Sequence, residues 1–257
     1  MNLFTNLYNY RELLKSNVKK EIRGKYKGSF LGILWSFINP LLQVLVYAIV
    51  FPYIMRVKTP NYLQFLIAGI IPWTFFTTVI NQGMITVRMN SGIIKKVYFP
   101  REILPISVAL SGLVNFFISC VIILVFCIGG GLGISWHLAL LPLAAILQFL
   151  FSLGLILALS AINIFIKDTE YIVVFILNMM FYATPIVYPV ELLPENLRWI
   201  MNLNPMAGII NMYRDIFINH QLTDVNSIIY VAIMSLVFFI IGMLTFRKLE
   251  KGFAEEL

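Results

Sequence analysis

Residues Ile103 to Ile166 read ILPISVALSGLVNFFISCVIILVFCIGGGLGISWHLALLPLAAILQFLFSLGLILALSAINIFI, 64 consecutive positions without one Asp, Glu, Lys or Arg. A hydrocarbon core about 30 Å thick takes roughly 20 helical residues to cross. The run therefore holds two spans and the turn between them. Working outward, the same reading gives six spans: Gly32–Met55, Leu63–Val87, Ile103–Ile128, Leu138–Ile166, Tyr171–Tyr188 and Ile228–Phe246. Pro185 and Pro189 interrupt the outer end of the fifth. The expected fold is all-α: a polytopic membrane protein of six transmembrane helices, with an N-terminal amphipathic interface helix and two short re-entrant outer helices.

Composition agrees. Of 257 residues 60% are hydrophobic and 12% charged, against roughly 25% charged in a soluble domain. The length suits an interface helix over residues 1–30 and one membrane domain over 31–257, with no room for a large soluble domain. The formal charge of +7 does not point to nucleic acid, because the basic residues sit beside apolar spans. With the N-terminus inside, the inner segments carry fifteen Lys and Arg, seven of them in Met1–Phe30. The outer segments carry four: Arg56, Lys58, Arg198 and Arg214. The positive-inside rule then places both termini in the cytoplasm. No signal-peptide pattern precedes the first span, which is expected to stay in the protein. Cys120 and Cys127 lie in one apolar run, about 10 Å apart along a helix, too far for a disulfide. They read as small buried apolar residues.

Three pieces lie outside the spans. In Met1–Phe30, Arg11, Lys15, Lys19, Arg23 and Lys27 form an i, i+4 row, and Tyr10, Leu14, Val18, Ile22 and Tyr26 form a second beside it. This is a basic amphipathic helix for the membrane surface, either an anchor alone or also a clasp for a cytoplasmic partner. Arg88–Arg101 is longer than a simple connection needs. A short helix over Ser91–Pro100 fits it, as a docking element or a plain surface loop. Ala183–Asp224 is too apolar for an ordinary loop and is broken by Pro185, Pro189, Pro194 and Pro205. One helix after Pro194 and a second from Pro205 to about Phe217 fit it, dipping back as a gate or lying flat as a cap.

The chemistry is sparse. No G-x-x-x-x-G-K-[ST] loop occurs, so the chain does not bind ATP in a P-loop of its own. The spans hold no acidic or basic side chain, which argues against a proton- or sodium-coupled carrier. His137 and His220 read as solvated loop histidines with no nucleophile beside them, and no Cys–His cluster has metal-site spacing. Asp168 or Thr169, in the tight inner turn, suits a helix cap.

The spans do carry polar-aromatic rows. Trp35, Asn39, Gln43, Tyr47 and Phe51 follow at i, i+4 in the first, and Tyr171, Phe175, Asn178 and Tyr182 share one face of the fifth. Amides in hydrocarbon need partners or a wet cavity. Rings beside amides suit sugars, whose apolar faces stack while their hydroxyls bond. Interhelical packing, with Trp35 in an interfacial belt, is the competing account. An intramembrane enzyme would need converging nucleophiles or carboxylates that are absent. A passive channel or scaffold would need no ATPase.

Three stretches carry a resemblance over nearly the whole length: YKGSFLGILWSFINP (Tyr26–Pro40), FPREILP (Phe99–Pro105), and TPIVYP (Thr184–Pro189) followed by LNPM (Leu203–Met206). In these the chain resembles the permease subunits of ABC-2 type exporters of O-antigen, capsule or teichoic acid. The resemblance implies a bacterial cytoplasmic (inner) membrane location and a homodimer. It also implies two copies of a separate ATPase subunit that binds ATP and Mg, no cofactor in this chain, and a lipid-linked polysaccharide as substrate. A small amphipathic molecule or drug is the alternative substrate. It implies ATPase docking through Lys15, Lys19, Arg23, Ile93, Lys95, Lys96, Tyr98 and Asp168. The channel falls to the two rows above. An outer gate falls to Val190–Phe217 with Pro185, Tyr188, Pro194, Trp199, Asn204 and Pro205.

Overall fold

The computed structural model describes residues 3–26, 28, 30–54 and 60–256. In chain order the helices are α1 (Leu3–Asn9), α2 (Arg11–Tyr26), α3 (Trp35–Ile54), α4 (Tyr62–Met89), α5 (Ser91–Ile94) and α6 (Ile103–Gly129). Then come α7 (Leu141–Phe165), α8 (Thr169–Ala183), α9 (Glu195–Asn202), α10 (Pro205–Arg214), α11 (Val225–Leu249) and α12 (Phe253–Glu256). No strand occurs among the described residues.

Among the described residues, four helical stretches are long and apolar enough to cross a membrane: Tyr62–Met89, Ile103–Gly129, Trp136–Phe165 and Val225–Gly252. Two shorter apolar helices accompany them, Ile38–Pro52 within α3 and Thr169–Ala183, which is α8. At 15 residues, α8 is about 22 Å long, short of a core of about 30 Å. The expected fifth span to Tyr188 stops early because Pro185 lacks an N–H and biases the residue before it away from the helix. Thr184 accordingly has ψ 137°.

Other boundaries shift for equally local reasons. The N-terminal segment is two helices with Tyr10 between them, and Lys27 of its basic row lies outside the described residues, as does Met55 of the first span. The expected helix over Ser91–Pro100 is one turn, Ser91–Ile94. Lys95, Lys96, Val97 and Tyr98 are all exposed, so no packed face sustains further turns. The helix expected to reach Phe217 ends at Arg214 and runs on as a π-helical turn over Asp215–Asn219.

α4 is the central helix, packed by α3, α6, α7, α8 and α10, while α7 pairs closely with α11. One buried polar chain ties three helices together. The Tyr213 hydroxyl donates to Gln148 Oε1 at 2.8 Å, and Gln148 Nε2 donates to the Pro72 carbonyl at 2.7 Å. Both side chains are fully buried. A lone amide there would be costly, so the two bonds fix α10 and α7 against α4. α2 lies along α6, its Leu14, Val18 and Ile22 half-buried and its Lys15, Lys19 and Arg23 exposed. Cys120 and Cys127 are buried free thiols.

Candidate functional site

The α3 row divides. Trp35 and Asn39 line a cavity of about 470 Å3 between α3, α4 and α6, where Thr74, Thr78, Gln82 and Asn115 also face it. Further along α3, Gln43 Nε2 donates to the Tyr47 hydroxyl at 3.5 Å. The Tyr47 ring packs edge-on against Phe51 at 5.8 Å and, tilted by 31°, against Phe181 of α8 at 5.6 Å. Phe181 in turn touches Trp73 of α4. A 3.6-residue period turns an i, i+4 row about 40° per step, so its two ends reach different neighbours.

The α8 row is uncovered in this chain. α8 buries Thr169, Leu177 and Phe181, whereas Tyr171, Phe175 and Tyr182 are 76%, 64% and 66% exposed and Asn178 is exposed too. The two rows approach each other at Tyr47 and Phe181, whose neighbour Tyr182 lies edge-on to it at 5.2 Å.

Beyond α8 the backbone is irregular, and side chains satisfy its carbonyls. The Tyr188 hydroxyl donates to the Tyr182 carbonyl at 2.7 Å, Tyr62 to Val187 at 2.7 Å, and Arg214 Nη2 to Ile186 at 2.9 Å. Irregular backbone buried among apolar helices is tolerated only with such partners. Pro185 is buried, Pro194 precedes α9 as its N-cap, and Trp199 is 58% exposed. Asn204 caps α10: its Oδ1 accepts from the Met206 N–H at 3.0 Å, its Nδ2 donates to Thr184 Oγ1 at 2.9 Å, and Pro205 takes the first helical position. Asn204→Ala removes both bonds. A loss of about 1–2 kcal/mol is expected, seen as a lower thermal unfolding midpoint; an unchanged midpoint would show that the cap does not hold α10.

At the opposite, basic end, the exposed residues include Lys15, Lys19, Arg23, Lys95, Lys96, Tyr98 (91% exposed), Ile93 and Asp168. Long-range bonds that the sequence did not reveal join the segments here. Arg88 pairs with Glu170 at 2.5 Å, so the last turn of α4 is tied to the start of α8. Asn6 Nδ2 donates to buried Glu102 at 2.9 Å, and Arg101 Nη1 to the Glu250 carbonyl at 2.7 Å. Asp168 is the N-cap of α8 but makes no side-chain cap bond, and Thr169 is buried as the first helical residue. The expected side-chain cap is therefore absent, and the Asp168 carbonyl alone accepts from the Ile172 N–H.

Two further readings change. His137 is buried, not solvated. Its Nδ1 is 2.8 Å from Ser135 Oγ, and its turn packs on the π-helical turn of 215–219. Arg214, counted among the outer loop cations, is only 5% exposed. Its guanidinium lies 3.5 Å from the centre of the Phe65 ring. The one signal for it was a Tyr-Arg-Asp triplet closing an otherwise apolar helix.

Long apolar helices, a knit basic end and an irregular, side-chain-braced opposite end define a multi-span membrane protein, and its sequence holds no P-loop. The chain belongs to the ABC-2 type transporter family, whose pattern matches residues 12–218. It is 37% identical to the O-antigen export system permease protein RfbA of Myxococcus xanthus, over 99% of each chain. It is 36% identical to the protein of the same name from Klebsiella pneumoniae, over 96% of this chain and 95% of that one. The polysialic acid transport protein KpsM of Escherichia coli is 22% identical over 91% of this chain and 92% of that one.

Proposed function

We propose that this chain is the membrane-spanning subunit of an ATP-driven exporter that moves a lipid-linked polysaccharide across the bacterial cytoplasmic membrane. The observation carrying this reading is the end-to-end similarity to permeases named for O-antigen export. The permease works as a homodimer with two copies of a separate ATPase subunit, which binds ATP and Mg. In this reading six helices cross the membrane, α3 and the short α8 included, and both termini and the basic end lie in the cytoplasm, in keeping with fifteen inner and four outer Lys and Arg. The amphipathic segment within residues 1–30 lies at the inner interface, and α9 and α10 form the outer gate, including Pro185, Tyr188, Pro194, Trp199, Asn204 and Pro205.

In this reading the uncovered rings of α8 and the row of α3 border the glycan path: Trp35, Asn39, Gln43, Tyr47, Phe51, Tyr171, Phe175, Asn178 and Tyr182. Stacking rings arranged lengthwise let a polymer slide from one shallow minimum to the next. ATP binding in the partner subunits pushes on the docking residues Lys15, Lys19, Arg23, Ile93, Lys95, Lys96, Tyr98 and Asp168, shifting a closed–open equilibrium. The Arg88–Glu170 pair links the last turn of α4, which leads into the docking segment, to α8 and gives that push a route to the path.

Deletion of the gene tests the reading. Lipid-linked polysaccharide should accumulate inside the cell, and the intact gene should restore surface display. Unchanged surface glycan together with altered efflux of a small amphipathic compound would overturn it. Docking is tested by Lys95→Glu with Lys96→Glu. Both side chains are exposed, so the permease should fold normally while co-purified ATPase falls about ten-fold, from loss and reversal of two rim charges. Undiminished co-purification would remove these lysines from the interface.

A further inference from the structure

A second cavity, of about 950 Å3, opens at the outer end between the N-termini of α4 and α11, residues 189–191, and α10. That volume is at the upper end of the range for small-molecule sites. Arg214 lies against it, with Glu191, Asn211, Asp224 and Asn226 around it. Arg214 Nη2 is occupied by the Ile186 carbonyl, but its buried Nε has no protein partner. Among the described residues no carboxylate forms an ion pair with it.

A buried donor without an acceptor is costly, and the positive charge beside it has no ion pair, only the face of the Phe65 ring and, beyond ion-pair distance, the Glu191 carboxylate. The adjacent Asp215 does not relieve it. Its Oδ1 accepts from Asn219 and Gln221, and its Oδ2 from Thr223, at 2.7–2.9 Å. The cavity wall thus carries one guanidinium whose Nε is enclosed without an acceptor, beside the Glu191 carboxylate, the Asp224 carboxylate, whose Oδ2 already accepts from Ser227, and exposed amides that take donors. A ligand bearing phosphate or carboxylate would meet the two carboxylates, and an amine would meet the guanidinium. A hydroxyl donates and accepts at once, so vicinal hydroxyls answer both kinds of group without charge repulsion.

We propose that this cavity is a binding subsite for uncharged, hydroxyl-bearing sugar units of the exported glycan, separate from the rows on α3 and α8. The assignment rests on the exporter reading above. Held here, a unit that has left the path would be kept from slipping back while the gate residues reclose.

The test uses the complete transporter, with its ATPase, in cells making their own surface polysaccharide, which is the probe. A photo-crosslinking benzoylphenylalanine is placed at Asn211, with companions at Asn178 on α8 and at Leu244, an exposed apolar position of α11. Light-dependent adducts with polysaccharide are expected at Asn211 and Asn178 and not at Leu244. Asn226→Ala should lower the Asn211 adduct about five-fold, the worth of one neutral hydrogen bond, and leave the Asn178 adduct unchanged. Asn226 is exposed, so the variant should fold. Adducts at Asn178 alone would overturn the subsite and leave the exporter standing. Adducts at neither position would count against the exporter reading as well. Crosslinked units that carry carboxylate or phosphate would overturn the assignment to uncharged sugars.

Discussion

Gly242→Leu is expected to remove most of the folded protein from the membrane. α7 and α11 cross with their backbones in contact. A Cβ at Gly242 would meet the Gly154 carbonyl, and one at Gly154 would meet the Phe238 carbonyl and the Phe239 nitrogen at 2.5 Å. These are backbone atoms, which no change of rotamer can move aside. Close approach of helices through small residues is the usual basis of packing in lipid, where apolar burial gives little drive for association. Overpacking in a yielding core costs about 1–3 kcal/mol. Here the neighbour is rigid and the pair is the broadest helix contact among the described residues, so a cost of at least about 3 kcal/mol is expected, a large share of a typical margin of about 5–15 kcal/mol. Gly242→Ala should fall between the two, and Gly92→Ala should be silent, because nothing lies within 4 Å of a Cβ there. Monodisperse yield and thermal midpoint of detergent-solubilised protein measure all three. A wild-type midpoint for Gly242→Leu would show that the two helices are not in backbone contact.

The contrast between α7–α11 and α8 shows what was legible in the sequence. α4, α6, α7 and α11 are recognisable from hydropathy alone because burial in lipid demands unbroken apolar length. The end of α8 was legible as a weakness, since Pro185 and Pro189 are local signals, but its length depended on how Thr184–Tyr188 found partners. Those partners, Tyr62, Arg214 and Asn204, come from 20 to 125 residues away, beyond any periodicity argument. The same holds for Gln148, which joins α10 to α4, and for His137, covered by a turn some 80 residues later in the chain. The α3 row was legible as a row. Its division between a cavity at Trp35 and Asn39 and a ring cluster at Tyr47 was not, because a row at steps of four winds around its helix. Arg214 is the clearest case: beside a proline-broken outer segment a cation reads as solvated, and only the fold shows it enclosed.

Tyr171→Ala with Tyr182→Ala separates the three things an uncovered aromatic face could meet. Both rings are mostly exposed in the protomer, at 76% and 66%, and the Tyr182 contact the structure records outside its own helix is the bond its carbonyl accepts from Tyr188. Truncating the two side chains should therefore leave the protomer's unfolding midpoint within about 0.5 kcal/mol of wild type. If glycan stacks on these rings, each contributes about 1 kcal/mol to holding the polymer on the path. Export, scored as surface polysaccharide per folded permease, should then fall about ten- to thirty-fold with the proposed dimer intact. If the rings instead seal one copy against the other, the dimer should dissociate in detergent and export should fall in proportion. If they face acyl chains, neither quantity should change. The expectation is the first outcome, because Asn178 shares their face. An amide in that company finds nothing to bond in an acyl chain, whereas a sugar hydroxyl beside two rings satisfies it.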